Sequence, residues 1–154
     1  GRDLLLYAVK KPLDDKPIYH LRVDKTENTL EIYDVEGKLV KQMPVGTAQI
    51  LTPTKTKFGE YVTPNGNYLV IKHFNQEQLH DKFGDNAHFY GSGMLQLSGP
   101  WTPHIAIHGT DKPEKIGKYD SNGCVRVPND EMLWLLANVG TGSTVEIMMS
   151  PEKK

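Results

Sequence analysis

From residue 18 onward the chain alternates apolar and polar positions with the period of two that a half-buried strand requires. In IYHLRVDK, Tyr19, Leu21 and Val23 fall on one face, and Ile18, His20 and Arg22 on the other. TLEIYDVEGKLVKQMPVG places Leu30, Ile32 and Val35 before a turn at Glu36-Gly37, and Leu39, Val40 and Val45 after it, the pattern of a hairpin. TPNGNYLVIKHF opens on an Asn-Gly turn signal and continues as a strand from Tyr68 to Phe74. HIAIHG, CVRV and STVEIMM read as three further short strands. One segment changes to a helical period: in NDEMLWLLANVG, Met132, Leu135, Leu136 and Val139 form a stripe that reads as core packing. Asn129 is the expected N-cap, Asp130 and Glu131 suit the positive end of the dipole, and Gly140 is the expected stop. Residues 75–99 are polar and rich in glycine, which predicts a long loop or lid with one or two helical turns in QEQLHDKF. The expectation is a mainly β (α+β), sandwich-like domain with one main helix near residues 129–139. Residues 1–16, charged and Pro-rich at KKPLDDKP, read as a lead-in, and residues 17–150 as the domain.

Composition narrows the function classes. A chain of 154 residues suits one domain and can bury a core without covalent staples. The net charge of −1 gives no reason to expect a nucleic-acid partner. Lys10-Lys11, Lys55 and Lys57 read as solvated surface. There is no apolar run long enough to span a bilayer. The chain opens on Gly1 rather than Met, from which we expect that an export signal has been removed. The single cysteine, Cys124, excludes an internal disulfide and a thiolate zinc site.

Cys124 invites two readings. A lone cysteine is commonly a small buried apolar residue. Three neighbours favour chemistry instead. Gly123 precedes it and allows a sharp turn in which successive amides point into one concavity, the geometry of an oxyanion hole. In an extended CVRV, Cys124 and Arg126 share a face, and a guanidinium near a thiol favours the thiolate or holds a substrate carboxylate. His108 closes the strand HIAIHG, where Ile105 and Ile107 point one way and His104, Ala106 and His108 the other. It is a candidate base if the segment after Gly109 loops back. Metal binding is the competing use of histidine. His104 and His108 in a strand would lie about 13 Å apart at ~3.3 Å per residue, too far to share an ion, and no metal or other cofactor is expected.

The run IHGTDKPEKIGKYDSNGCVRVPNDEM resembles the signature of the L,D-transpeptidase catalytic domain (YkuD-type): a His before Gly, a spacer, Ser/Thr-His-Gly-Cys, and often Arg two places after the Cys. LRVDKTENTLEIYDVEGKLVKQMPVGTA is similar to the family's opening hairpins and TPNGNYLVI to its Thr-Pro-x-Gly-x-Tyr strand entry, so the resemblance covers about residues 17–149. The resemblance implies an exported, cell-envelope enzyme acting on peptidoglycan stem peptides, releasing D-Ala through a thioester and forming a cross-link. It implies Cys124 as nucleophile, His108 as base, the Gly109 carbonyl as orienter of the imidazole, and the Gly123 and Cys124 amides as oxyanion donors. Arg126, Asn122, Ser121 and, from the polar segment, Tyr90 are the substrate-side candidates; His88, Phe89 and Trp101 are expected nearby. We expect a monomer needing no cofactor. One position departs: Asn122 stands where the family usually has His, which bears on pH profile and substrate preference. L,D-carboxypeptidase activity, attachment of a protein to peptidoglycan, a non-catalytic peptidoglycan-binding module and a redox-sensing thiol are the alternatives.

Overall fold

The computed structural model describes residues 14–52, 61–100 and 105–151. Among the described residues, ten strands carry the fold. β1 (His20–Asp24), β2 (Thr29–Tyr33) and β3 (Leu39–Pro44) form an antiparallel meander, followed by the short β4 (Thr47–Ala48). β5 (Gly66–Asn75) runs directly into α1 (Gln76–Phe83) and a 3₁₀ segment (Gly84–Tyr90). Then come β6 (Gly93–Ser98), β7 (Ala106–His108), β8 (Tyr119–Ser121), β9 (Val125–Arg126), α2 (Asn129–Asn138) and β10 (Thr144–Met148). Eight strands make one mixed sheet in the order β3-β2-β1-β10-β5-β6-β7-β9, and β4 pairs with β8 in parallel. The expected β-dominant α+β class is what forms.

Alternation sorts the side chains. Leu21 and Val23 of β1, Leu30 and Ile32 of β2, Leu95 and Leu97 of β6, and Val145 and Ile147 of β10 join one core with Met132 and Leu135 of α2. Each such apolar side chain contributes about 1.5–3 kcal/mol on burial. A smaller cluster of Phe74, Leu79, Met94 and Ala106 gathers beside α1, and Cys124 packs against it. Because Met94 and Ala106 alternate with Leu95 and Ile107, this cluster lies on the opposite face of β6 and β7 from the main core.

Two expectations are corrected. Residues 75–99 are not a loop: β6 is a central strand between β5 and β7, and α1 opens with a capping box between Asn75 and Gln78. In GMLQLS both faces are covered, so Met94, Leu95 and Leu97 are all buried and the alternation that marks a half-exposed strand is lost. The helical turns in QEQLHDKF do form. Asn129 does not cap α2 with its side chain: the cap is Pro128, without a side-chain hydrogen bond, and the Asn129 amide is engaged elsewhere. Gly140 follows the last helical turn as expected, where a Cβ would stand 2.4 Å from the Lys16 carbonyl oxygen. Trp101, His104 and residues 1–13 of the expected lead-in lie outside the described residues.

Candidate active site

β7 and β9 run side by side in parallel, with Ile107 opposite Val125 and His108 opposite Arg126. The pleat sends Ile107 and Val125 into the main core. His108 and Arg126 therefore share the other face, and Cys124 joins them one pleat before Arg126. This is the juxtaposition expected from the strand patterns.

His108 is buried and its Nδ1 lies 2.5 Å from the Gly109 carbonyl oxygen. A carbonyl only accepts, so Nδ1 carries the proton and Nε2 is the basic nitrogen. Burial pushes the imidazole pKa down from 6.5 to about 4; the Arg126 cation adds to this, while the Gly109 hydrogen bond and Asp111 oppose it. The Tyr90 ring stands edge-on to His108, with centroids 5.0 Å apart and planes at 86°. The Tyr90 phenol is raised above its ordinary pKa by burial and then by a thiolate charge at Cys124.

The turn before β9 is tied by Ser121, whose buried Oγ donates to the Cys124 carbonyl at 2.7 Å and accepts the Gly123 N–H at 3.2 Å. Gly123 has φ +149°, a backbone conformation other residues rarely adopt. The Gly123 amide, expected to face the site, is thus already engaged within the turn.

Cys124, His108, Arg126, Ser121, Asn122 and Tyr90 all line one cavity of about 410 Å³. Gly109 lies behind the imidazole rather than in the cavity wall. Phe89, Asp111 and Lys112 complete the lining. Asp111 and Lys112 belong to the loop after Gly109 and are not legible in the sequence, because an isolated charged pair in a polar loop has no signature of its own. His88 pairs with Asp111 across the rim at 3.7 Å, and Asp120 pairs with both Arg126 and Lys115 at 3.6 Å. A second cavity of about 400 Å³ shares Cys124 and Tyr90 with the first and is otherwise lined by Phe74, Lys82, Phe83, Met94, Gln96 and Ala106. Cys124 therefore borders both cavities. Among the described residues no group of three or more His, Cys, Asp or Glu could hold a metal ion, and no helix is long and apolar enough to cross a membrane.

A family model of the L,D-transpeptidase catalytic domain (YkuD) matches residues 18–147. The chain belongs to this family. YqjB of Bacillus subtilis is 46% identical over 142 residues, covering 88% of this chain and 76% of that protein. YkuD of Bacillus licheniformis is 29% identical over 147 residues, covering 96% of this chain and 74% of that protein. Both are named as L,D-transpeptidases. Among solved structures, the fold is similar to an L,D-transpeptidase from Mycobacterium smegmatis, with TM-score 0.59 and 16% identity over 84% of this chain and 58% of that one. It is also similar to the L,D-transpeptidase of Enterococcus faecium, with TM-score 0.61 and 19% identity over 86% of this chain and 50% of that one. The chain spans roughly half the length of these solved chains. For this L,D-transpeptidase-family domain, membership implies an enzyme of transferase type with a peptidoglycan-related, cell-wall role.

Proposed function

We propose that the domain is a cysteine-dependent L,D-transpeptidase of the extracytoplasmic cell envelope, acting on peptidoglycan stem peptides. The observation that carries the reading is the gathering of Cys124, His108 and Arg126 on one cavity wall, with the imidazole held through Nδ1. Nε2 of His108 takes the thiol proton as Cys124 Sγ attacks the carbonyl preceding the terminal D-Ala. The tetrahedral oxyanion is received by the amides of the 123–124 turn; the Gly123 N–H has a long bond to Ser121 to give up in doing so. The C–N bond then breaks, the D-Ala amine leaves with the proton from His108, and a thioester remains on Cys124. An amine of a second stem attacks the thioester, His108 removes its proton, and the thiol is restored.

The depressed pKa of His108 keeps the base unprotonated at rest but makes it a weak one, so the proton transfer relies on its coupling to the attack of the sulfur. The imidazole is neutral at pH 7, and negative charge developing on the Cys124 sulfur raises its basicity as the proton moves. Arg126 disfavours a resting imidazolium and offers a cation to a substrate carboxylate, while Asn122 and Tyr90 border the same space. Cys124 borders both cavities; assigning one to the donor stem and one to the acceptor stem favours an amine acceptor over water alone.

Product analysis with purified disaccharide-tetrapeptide, beside a Cys124→Ala control, tests the reading. Release of D-Ala with a cross-linked dimer, both absent in the control, is the expected result. Release of D-Ala with tripeptide only would make the domain an L,D-carboxypeptidase. Unchanged tetrapeptide would remove the proposal.

A further inference from the structure

Asn129 has no part in the steps above, yet it lies between the two backbone segments that wall His108. Its Oδ1 accepts the N–H groups of Ser92 and Thr110, both at 3.0 Å, and its Nδ2 donates to the Thr110 carbonyl at 2.8 Å. Its own carbonyl accepts the Ser92 hydroxyl at 2.7 Å. Both ends of the amide are therefore committed to backbone. The fit is tight: a Cβ on Gly91 would stand 2.1 Å from Oδ1, and one on Gly109 2.3 Å. The 90–92 segment carries Tyr90, which meets the imidazole edge-on, and the 109–110 segment begins with the carbonyl that accepts from His108 Nδ1.

We infer that Asn129 is a positioning residue for His108: it clamps the Gly109 carbonyl and the Tyr90 turn together, and so fixes the imidazole tautomer that leaves Nε2 free to act as base. The inference rests on the proposed pairing of His108 with Cys124. An ordinary loop tie would hold the backbone without governing the ring. The difference is that the Gly109 carbonyl is both the neighbour of the clamp and the acceptor from Nδ1, so a slackened clamp changes the hydrogen bond that selects the tautomer.

The test uses ¹⁵N-labelled histidine and NMR to read the His108 tautomer and titration, alongside the pH dependence of Cys124 alkylation by iodoacetamide. In Asn129→Ala the ring is expected to become a mixture of tautomers, with alkylation slowed roughly 10- to 100-fold. A folded Asn129→Ala protein with the Nδ1-protonated tautomer and an unaltered alkylation profile would overturn the inference, whatever its melting temperature. If that variant does not fold, Asn129→Asp serves. It keeps the volume and the two accepted N–H bonds but sets an acceptor against the Thr110 carbonyl, so the clamp slackens and the ring is again expected to become a mixture of tautomers. A ring that stays wholly Nδ1-protonated in Asn129→Asp overturns the inference. Alkylation of His108→Ala separates the underlying reading: a rate equal to the unmodified protein's defeats His108 as base, whereas the tautomer data report on Asn129 independently.

Discussion

At the scale of single residues, burial and one carbonyl decide what His108 can do. Its pKa near 4 keeps the imidazole neutral well below the 6.5 of an unperturbed group. For the proposed base the neutral form is the competent one, so the lowered pKa keeps it competent to more acid pH while making it a weaker proton acceptor. We expect the pH profile of Cys124 alkylation, measured with the folded protein under initial-rate conditions, to follow the thiol and to show no inflection near 6.5 from His108. His108→Gln is expected to slow turnover by about 10²–10⁴-fold, with secondary structure unchanged by circular dichroism. Much of this centre is legible in the sequence. Cys124 and Arg126 are two apart in a strand, and His108 ends another, so period-two geometry alone puts the first two on one face. Asn129 is misread, because an asparagine before an apolar helical stripe has the look of a cap; only the contacts to Ser92 and Thr110 reveal its other use.

At the scale of elements, short strands and turns carry the site while longer elements hold it in place. α1 begins where β5 ends, and its capping box joins the Asn75 side chain to the Gln78 N–H at 2.9 Å and the Gln78 side chain to the Asn75 N–H at 2.9 Å. Asn75→Ala is expected to cost about 1 kcal/mol of stability, read as a shift in urea midpoint. α2 is anchored more deeply: Leu135 is fully buried, and Leu135→Ala is expected to cost about 2–5 kcal/mol. β6 shows where periodicity fails as a guide. Gly93 is backed by Leu136, whose Cδ1 would lie 2.4 Å from an added Cβ, and the following residues bury side chains on both faces. A strand covered on both sides loses its alternation, and glycine-rich flanks then make it read as a loop. The hairpin of β2 and β3, by contrast, is announced by Glu36-Gly37, where Gly37 has φ +86°.

At the scale of the whole molecule, the buried imidazole links the site to stability. The unfolded chain binds a proton at His108 near pH 6.5, the folded one only near pH 4. Between these values the unfolded state holds more protons, so stability falls as pH falls. The loss amounts to about 3 kcal/mol by pH 4 for a shift of this size. Burial raises the Asp14 and Asp24 carboxyls, but hydrogen bonds outweigh it: Asp14 is held down by Thr141 and Lys16, and Asp24 by Ser150 and Thr26. Both end below the ordinary 3.8, so their stabilisation is present above that value and is lost only at lower pH. Chemical denaturation at pH 7, 5.5 and 4 is expected to show a steady decline that His108→Gln flattens. The sheet order, with β1 parallel to β10 at its centre and β7 beside β9 at its edge, could not be read from the sequence. Such pairings are set by chain crossovers and not by any local pattern.

The most direct measurement is the intact mass of the protein after brief exposure to a tetrapeptide stem, with peptide mapping of any adduct. The expected result is a mass increase equal to the stem less D-Ala, located on Cys124, absent in Cys124→Ala and much reduced in His108→Gln. Release of D-Ala with no acyl group ever borne by Cys124, or an adduct unaffected by His108→Gln, would contradict it.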